Sequence, residues 1–227
     1  MSSCIVVAID GPAGAGKSTV ARLVAERLSY LYIDTGAMYR AVAYRIMKDG
    51  VPVSDPAKVT RAAKKLDIRL KDTENGQRVF VDGEDVTEAI RSVEVTRLSS
   101  PVSAVPGVRK RLVELQRNMA EDETGVVMEG RDIGTVVFPD ARVKVYLTAS
   151  VEERARRRTL EMSRKGMQAD IKQVETEIRE RDLRDSTRST APLAQAFNAV
   201  MVNTDGISIE QVVDQIVAIH DSRIGNN

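Results

Sequence analysis

The sequence predicts an α/β fold: a core with a five-stranded parallel sheet flanked by helices, and a smaller domain inserted between two of the strands. Three observations carry that prediction. Short, continuous apolar runs recur at 4–9, 31–33, 126–128, 142–147 and 200–202. Runs that do not alternate are what strands buried on both faces require. Helical stretches separate them, which is the connectivity of a parallel sheet with helices on both faces. Between 53 and 100 the texture turns polar and rich in turn signals, as expected of an insert without a large core of its own.

Residues 4–9, CIVVAI, read as the first buried strand. A glycine-rich turn follows and opens a helix from about Lys17 to Leu28. The strand at 31–33 ends at Asp34. In 36–50, Ala37, Tyr39, Ala41, Val42 and Ile46 fall at helical spacing, and Gly50 with Pro52 stops the helix. In the insert, Ser54 or Asp55 can cap a helix whose first turn carries Pro56. Residues 66–70 and 78–81 read as partner strands across a Glu74-Asn75-Gly76 turn, and Asp82-Gly83 turns the chain again. Thr87 and Glu88 begin a further helical segment. A helix spans 106–119, with Pro106 near its start. The strand at 126–128 runs into Glu129-Gly130-Arg131-Asp132, and the strand at 142–147 leads to a charged helix from Val151 to about Lys165. Residues 168 to about 184 are helical as well. Ser208 starts a closing helix with Ile209, Val212, Val213, Ile216, Val217 and Ile219 on its apolar stripe. His220 is read as a surface residue of that helix, and 225–227 as a frayed end.

Composition narrows the functional classes. Hydrophobic residues are 42% and charged residues 30%, as in an ordinary globular protein, so a core can be buried. Aromatics are only 4%, which makes that core aliphatic. The net charge of +1 argues against a dedicated nucleic-acid binder, and no stable nucleic-acid partner is expected. The lone Cys4 cannot close an internal disulfide and suits a reducing compartment. No apolar run approaches the roughly 20 residues of a membrane span, and no signal peptide is visible, so the expectation is a cytoplasmic protein without a membrane partner.

The segment Gly11-Pro12-Ala13-Gly14-Ala15-Gly16-Lys17-Ser18-Thr19 satisfies the G-x-x-x-x-G-K-[ST] pattern between a strand and a helix. Its glycines let backbone N–H groups face an anion, and the helix N-terminus adds its dipole. Lys17 would reach the β- and γ-phosphates of ATP, and the Ser18 hydroxyl would ligate Mg²⁺. The motif speaks for a bound triphosphate and leaves the acceptor open. A metabolite kinase is one reading; a nucleotide-driven switch or motor is the other. The guanine-specifying Asn/Thr-Lys-x-Asp element of a GTPase follows no predicted strand. Val136-Val137-Phe138-Pro139-Asp140 has the look of a motor's Walker-B strand, but Pro139 makes it a loop.

Arginines gather where anions would need them. Arg154, Arg157 and Arg158 share a helical face, and Arg181, Arg184, Asp185 and Arg188 follow similar spacing. Arg40, Arg109 and Arg131 stand near strand ends, where a parallel sheet forms its ligand crevice. Guanidinium groups offset the charge that crowds in as a triphosphate meets a monophosphate. Solvated helices with internal ion pairs, with Glu152, Glu153 and Glu161 as partners, are the plain alternative, and RNA binding a further one. Asp34-Thr35-Gly36 could be a helix cap or could touch a substrate, with Arg40 on its phosphate.

Three longer motifs resemble the bacterial cytidylate kinase family over nearly the whole chain. They are Asp34-Thr35-Gly36-Ala37-Met38-Tyr39-Arg40, then Gly130-Arg131-Asp132-Ile133-Gly134-Thr135-Val136-Val137-Phe138-Pro139-Asp140-Ala141, and Arg181-Asp182-Leu183-Arg184-Asp185-Ser186-Thr187-Arg188. The resemblance implies a CORE domain at 1–38, 101–153 and 171–227, an NMP-binding domain at 39–100 with a small antiparallel sheet, and a LID at 154–170. It implies Mg²⁺-ATP as donor, CMP and dCMP as acceptors with UMP used poorly, and a cytoplasmic monomer. Another small-molecule kinase, for UMP or a different monophosphate, is the alternative.

By the same resemblance, Asp34, Thr35, Arg40, Arg109 and Arg131 would hold the monophosphate or its sugar. Arg181, Asp185 and Arg188 would meet the base, sugar or phosphate, and Ser100 and Asp132 would complete the base pocket. Lys17, Arg131, Arg154, Arg158 and Arg188 would offset the charge of the transferring group. The family often has Ser where this chain has Thr35, so the hydroxyl is kept. Arg188 and Asp185 are expected to work as a pair.

Overall fold

A computed structural model describes residues 4–74, 76–164 and 166–225. By contacts the chain forms two compact units, one made of the stretch up to Tyr32 and the stretch from Glu123 on, the other of Ile33–Asp122.

The first unit is built on the parallel sheet. Its strands are β1 (Ile5–Asp10), β2 (Leu31–Asp34, within which the division falls), β6 (Gly125–Gly130), β7 (Val143–Thr148) and β8 (Val200–Asn203), in the order β2-β6-β1-β7-β8. β1 is central because it is apolar up to its closing Asp10: Val7, Ala8 and Ile9 are fully buried, as strands covered on both faces must be. The register sets Asp10 opposite both Gly130 of β6 and Tyr146 of β7, so β1 and β6 end level and β7 runs on to Thr148. Helices α1 (Lys17–Leu28) and α8 (Ile209–Ile224) pack together, and Val20, Val24, Val213 and Ile216 join Val7, Ile9, Val127, Val145 and Leu147 in one aliphatic cluster. Each such side chain taken out of water contributes roughly 1.5–3 kcal/mol. Helices α6 (Val151–Arg164) and α7 (Ile171–Thr187) bury a smaller cluster of Ala155, Val174 and Ile178.

The second unit holds α2 (Thr35–Lys48), α3 (Pro56–Lys65), the antiparallel strands β3 (Ile68–Thr73), β4 (Gly76–Val81) and β5 (Glu84–Asp85), then α4 (Val93–Ser103) and α5 (Pro106–Ala120). Asp55, not Ser54, caps α3, accepting the Lys58 amide at 3.0 Å. The β3–β4 pairing closes as the sequence suggests, with Thr73 opposite Gly76; Asn75 of that turn lies outside the described residues. The helical segment expected from Thr87 divides: a single 3-10 turn at Ala89–Arg91 ends, and Ser92 caps α4 afresh through the Val95 amide.

Two further readings are corrected. The stretch expected to be a loop at 136–140 begins inside a π-helical turn, Ile133–Val137, and only then runs irregularly. His220 is not a surface residue. It is 8% exposed, its Nε2 lies 3.0 Å from the Tyr30 hydroxyl, its ring meets the Tyr30 ring edge-on, and its Nδ1 lies 2.8 Å from Asp221. Tyr30 in turn fills the space that a side chain at Gly125 would need, since a Cβ there would come within 2.5 Å of the ring. This contact fastens α8 at the amino end of the sheet, away from the strand ends that carry the phosphate loop. His220→Ala leaves the Tyr30 hydroxyl without that partner and opens a void. It is expected to lower unfolding free energy by about 1–3 kcal/mol while nucleotide binding is unchanged. Urea denaturation alongside nucleotide titration checks this, and an unshifted midpoint would return His220 to the surface role.

Candidate active site

The phosphate loop leaves β1 by a route only glycine can take. Gly11 has φ 151°, and a Cβ there would lie 1.9 Å from the Leu147 carbonyl oxygen of β7. At the other end Gly16, at φ 89°, is the N-cap of α1 and contributes no side-chain hydrogen bond. The amide donors of the first turn of α1 are thus left for an external acceptor, which is the arrangement that takes a phosphate. Ser18 and Thr19 are exposed on that turn. A hydroxyl and phosphate oxygens are hard donors that suit Mg²⁺, so the residues present fit Mg²⁺-ATP.

Lys17 is 6% exposed and donates to the Pro12 carbonyl at 2.7 Å. Burial above all, then Arg131 and Arg181, lowers its pKa to about 7 against the opposing pull of Glu129 and Asp10. Glu129, at the end of β6, is itself buried and accepts the Tyr32 hydroxyl at 2.7 Å. Asp10 is buried at the end of β1. Desolvation raises its carboxyl to about 6, against the pull of the Ile133 and Gly134 amides.

The arginines of α6 divide by depth. Arg154 is 4% exposed and braces the loop: its guanidinium donates to the carbonyls of Ala149 (3.0 Å) and Ala13 (3.1 Å) and meets Asp182 of α7 at 2.7 Å. Arg157 donates to Glu153 (2.8 Å) and to the hydroxyl and carbonyl of Thr204 (2.9 and 2.8 Å), and its guanidinium lies 3.9 Å from where a Cβ on Gly16 would sit. Arg158 points to solvent and pairs with Glu161. Of the three expected to share a face, Arg154 and Arg157 reach the loop region, and Arg158 lies exposed beside Glu161.

Next to them stand two crossed ion pairs. Arg131 donates to Asp185 at 3.1 Å, and Arg188 faces Asp132 at 3.8 Å. This corrects the expected Arg188–Asp185 pair. The reason is local: α7 stops at Thr187, so Arg188 is its extended C-cap and leaves the helical face, turning its Nε to the Ala191 carbonyl.

In the other unit, Asp34 is a helix cap and an ion-pair partner together. One oxygen accepts the Ala37 amide at 2.8 Å and the other meets Arg40 at 3.0 Å. Thr35 is buried beside it. Arg109 of α5 is buried, donates to the Ser103 carbonyl at 3.2 Å and lies 5.4 Å above the Tyr39 ring, in cation–π range. Ser100 is half-buried on α4.

Sequence reasoning did not single out Asp10, Tyr32 or Arg157. Asp10 offered a signal in its place, a carboxylate closing an apolar strand immediately before the loop. Arg157 was seen on the shared face without a role. Tyr32 offered none.

A phosphate loop at the carboxyl end of a parallel sheet, with arginines and carboxylates close enough to perturb its lysine, defines a P-loop phosphotransferase. The chain belongs to the cytidylate kinase family: the family model for cytidylate kinase matches residues 7–222. It is 55% identical over 219 residues to a cytidylate kinase of Pelotomaculum thermopropionicum, covering 96% of each chain. It is 52% identical to one from Geobacillus sp., covering 99% of this chain and 100% of the other. Among solved structures, an uncharacterized protein from Eubacterium ventriosum shares the fold at a TM-score of 0.51 and 13% identity, over 96% of this chain and 99% of that one.

Lys17 gives a test of this electrostatic picture. With its folded pKa lowered from 10.5 to about 7, the stability that depends on a neutral Lys17 is present above the unfolded pKa and lost as pH falls through the folded one. A bound triphosphate favours the charged form, so ATP binding near pH 7.5 is expected to take up a fraction of a proton. Calorimetric titrations in buffers of different ionisation enthalpy measure it. Proton release, or no exchange, would contradict the burial argument.

Proposed function

We propose that the chain transfers the γ-phosphoryl group of ATP to CMP and dCMP, giving ADP with CDP or dCDP, through the residues described above. The observation that carries this reading is the set Arg131–Asp185 and Arg188–Asp132, its carboxylates buried and its guanidinium groups partly so, in the unit that holds Lys17. A cytosine offers an amine donor and two acceptors, N3 and O2. Carboxylates and guanidinium groups side by side present the complementary acceptors and donors, and uracil reverses the polarity at two of those positions.

In the reaction, an oxygen of the acceptor phosphate attacks the γ-phosphorus in line. The bond from that phosphorus to the bridging oxygen breaks, and its electron pair leaves with ADP. No general base is required, since the attacking oxygen is already ionised. Lys17 and the first-turn amides of α1 hold the donor, and Ser18 would hold Mg²⁺, which when bound neutralises charge on the β- and γ-phosphates. Thr35, Arg40 and Arg109 hold the monophosphate, with Asp34 orienting Arg40. Asp132, Arg181, Asp185, Arg188 and Ser100 read base and sugar. Arg131, Arg154 and Arg158 offset charge during transfer. In this reading 1–38, 101–153 and 171–227 act as the CORE, 39–100 as the monophosphate-binding part and 154–170 as the LID that excludes water. No helix among the described residues is long and apolar enough to cross a membrane. A cytoplasmic monomer acting on small molecules fits the reading.

A coupled assay of diphosphate formation across AMP, GMP, CMP, dCMP, UMP and shikimate tests the assignment. CMP and dCMP are expected to lead clearly, with UMP poor; fast ATP hydrolysis indifferent to any monophosphate would point to a switch or motor instead. Lys17→Ala is expected to lose most of the turnover at saturating ATP and CMP. Asp185→Ala removes an acceptor and leaves the Arg131 guanidinium without it. A buried polar group left unpaired costs about 1–3 kcal/mol and a charged one more, so with the Arg131 guanidinium unpaired CMP efficiency should fall at least about tenfold. UMP efficiency should fall less, narrowing the CMP/UMP ratio, while ATP affinity holds. An intact ratio in a folded variant would remove Asp185 from base recognition.

A further inference from the structure

We infer that Asp10 is a positioning residue for the monophosphate site, capping from a different strand the turn that carries Asp132. Three observations support it. Asp10 is 4% exposed, and both its oxygens are engaged: Oδ1 accepts the Ile133 amide and Oδ2 the Gly134 amide, each at 2.8 Å. Its backbone is laddered to Gly130 at the end of β6. Asp10 therefore grips the chain on both sides of Arg131 and Asp132, through the ladder before them and through its carboxylate after them.

Asp132 is the residue that precedes this π-helical turn, in the place from which an aspartate ordinarily caps its own helix. It makes no such cap bond; its side chain is turned to Arg188. Asp10 takes the amides instead, and the turn sits so close that a Cβ on Gly134 would come within 3.1 Å of the Lys144 side chain and 3.4 Å of Asp10. A capping carboxylate supplied by the neighbouring strand lets the Asp132 side chain turn to Arg188 without leaving those buried N–H groups unpaired. The same residue is followed directly by Gly11, so the segment carrying Arg131 and Asp132 is indexed to the start of the phosphate loop. A neutral residue could satisfy one amide at less desolvation cost; two amides held at once, with fixed direction, need both oxygens of a carboxylate.

The inference rests on the reading that Asp132 engages the monophosphate, and the experiment separates the two. Asp10→Asn presents an N–H₂ where an amide donor needs an acceptor, and Asp10→Ser reaches one amide at most. Asp10→Asn is expected to lower CMP efficiency at least about tenfold and to narrow the CMP/UMP ratio. In the double variant with Asp132→Ala the losses should not multiply: Asp10→Asn should add less than about threefold to the loss from Asp132→Ala alone. Losses that multiply, with the CMP/UMP ratio intact, would mean a merely structural carboxylate and overturn the inference. If Asp132→Ala lowers CMP efficiency but neither Asp10 variant does, the positioning role alone fails. If Asp132→Ala itself has no effect, the base-pocket reading fails and Asp10 has nothing to position. Amide hydrogen exchange on the unaltered protein stands apart from any variant's folding. The Ile133 and Gly134 amides should exchange as slowly as those within β6, and rapid exchange there would also overturn the inference.

Discussion

An ammonium group kept almost out of water, with arginines nearby and one backbone carbonyl to receive it, is the interaction around which the first unit is organised. Burying the Lys17 ammonium disfavours its charge, and Arg131 and Arg181 add to that. Glu129 and Asp10 offset that from the ends of β6 and β1. Both carboxylates are there because the register of the parallel sheet sets those strand ends level. The sheet thus converts an apolar pattern in three strands into an electrostatic arrangement at their tips, one that becomes favourable when phosphate arrives.

The arginines of both units share a second property. Arg40 rests on Asp34, Arg109 on the Ser103 carbonyl and the Tyr39 ring, Arg131 on Asp185, and Arg154 on the Ala13 carbonyl. Long side chains held this way have already lost much of the rotamer freedom that ligand binding would otherwise remove. The planar fork of arginine can keep one acceptor and still offer donors to another, which a lysine ammonium does with less directional control.

Much of the fold was legible because its signals are local. The unbroken run before Gly11, the glycine spacing to Lys17 and the turn residues between β3 and β4 each act within a few positions. What was not legible depends on partners distant in sequence. His220 falls beside the apolar stripe of α8 and looks like a solvent-facing residue until Tyr30, 190 positions earlier, supplies its contact. The π-helical turn at Ile133–Val137 has no periodic signature, and its cap comes from 123 positions away. Spacing placed Arg188 on a helical face with Asp185, but the helix ends one residue too soon for spacing to apply. The candidate site residues were therefore legible by motif, while their pairing was not.

Cys4 stands immediately before β1, partly buried, with no other cysteine in the chain. The six residues of β1 separate it from the phosphate loop, and at roughly 3.3 Å per residue the two ends of the strand lie about 20 Å apart. Burial and the nearby Glu123 carboxylate raise its thiol pKa, so the thiolate needed for alkylation is scarce near neutral pH. One maleimide-linked dye or spin label, attached under mildly alkaline conditions, would therefore mark the molecule at a single defined point. It would stand at the amino end of the strand whose carboxyl end holds the nucleotide, far enough away to report on the protein without entering the chemistry.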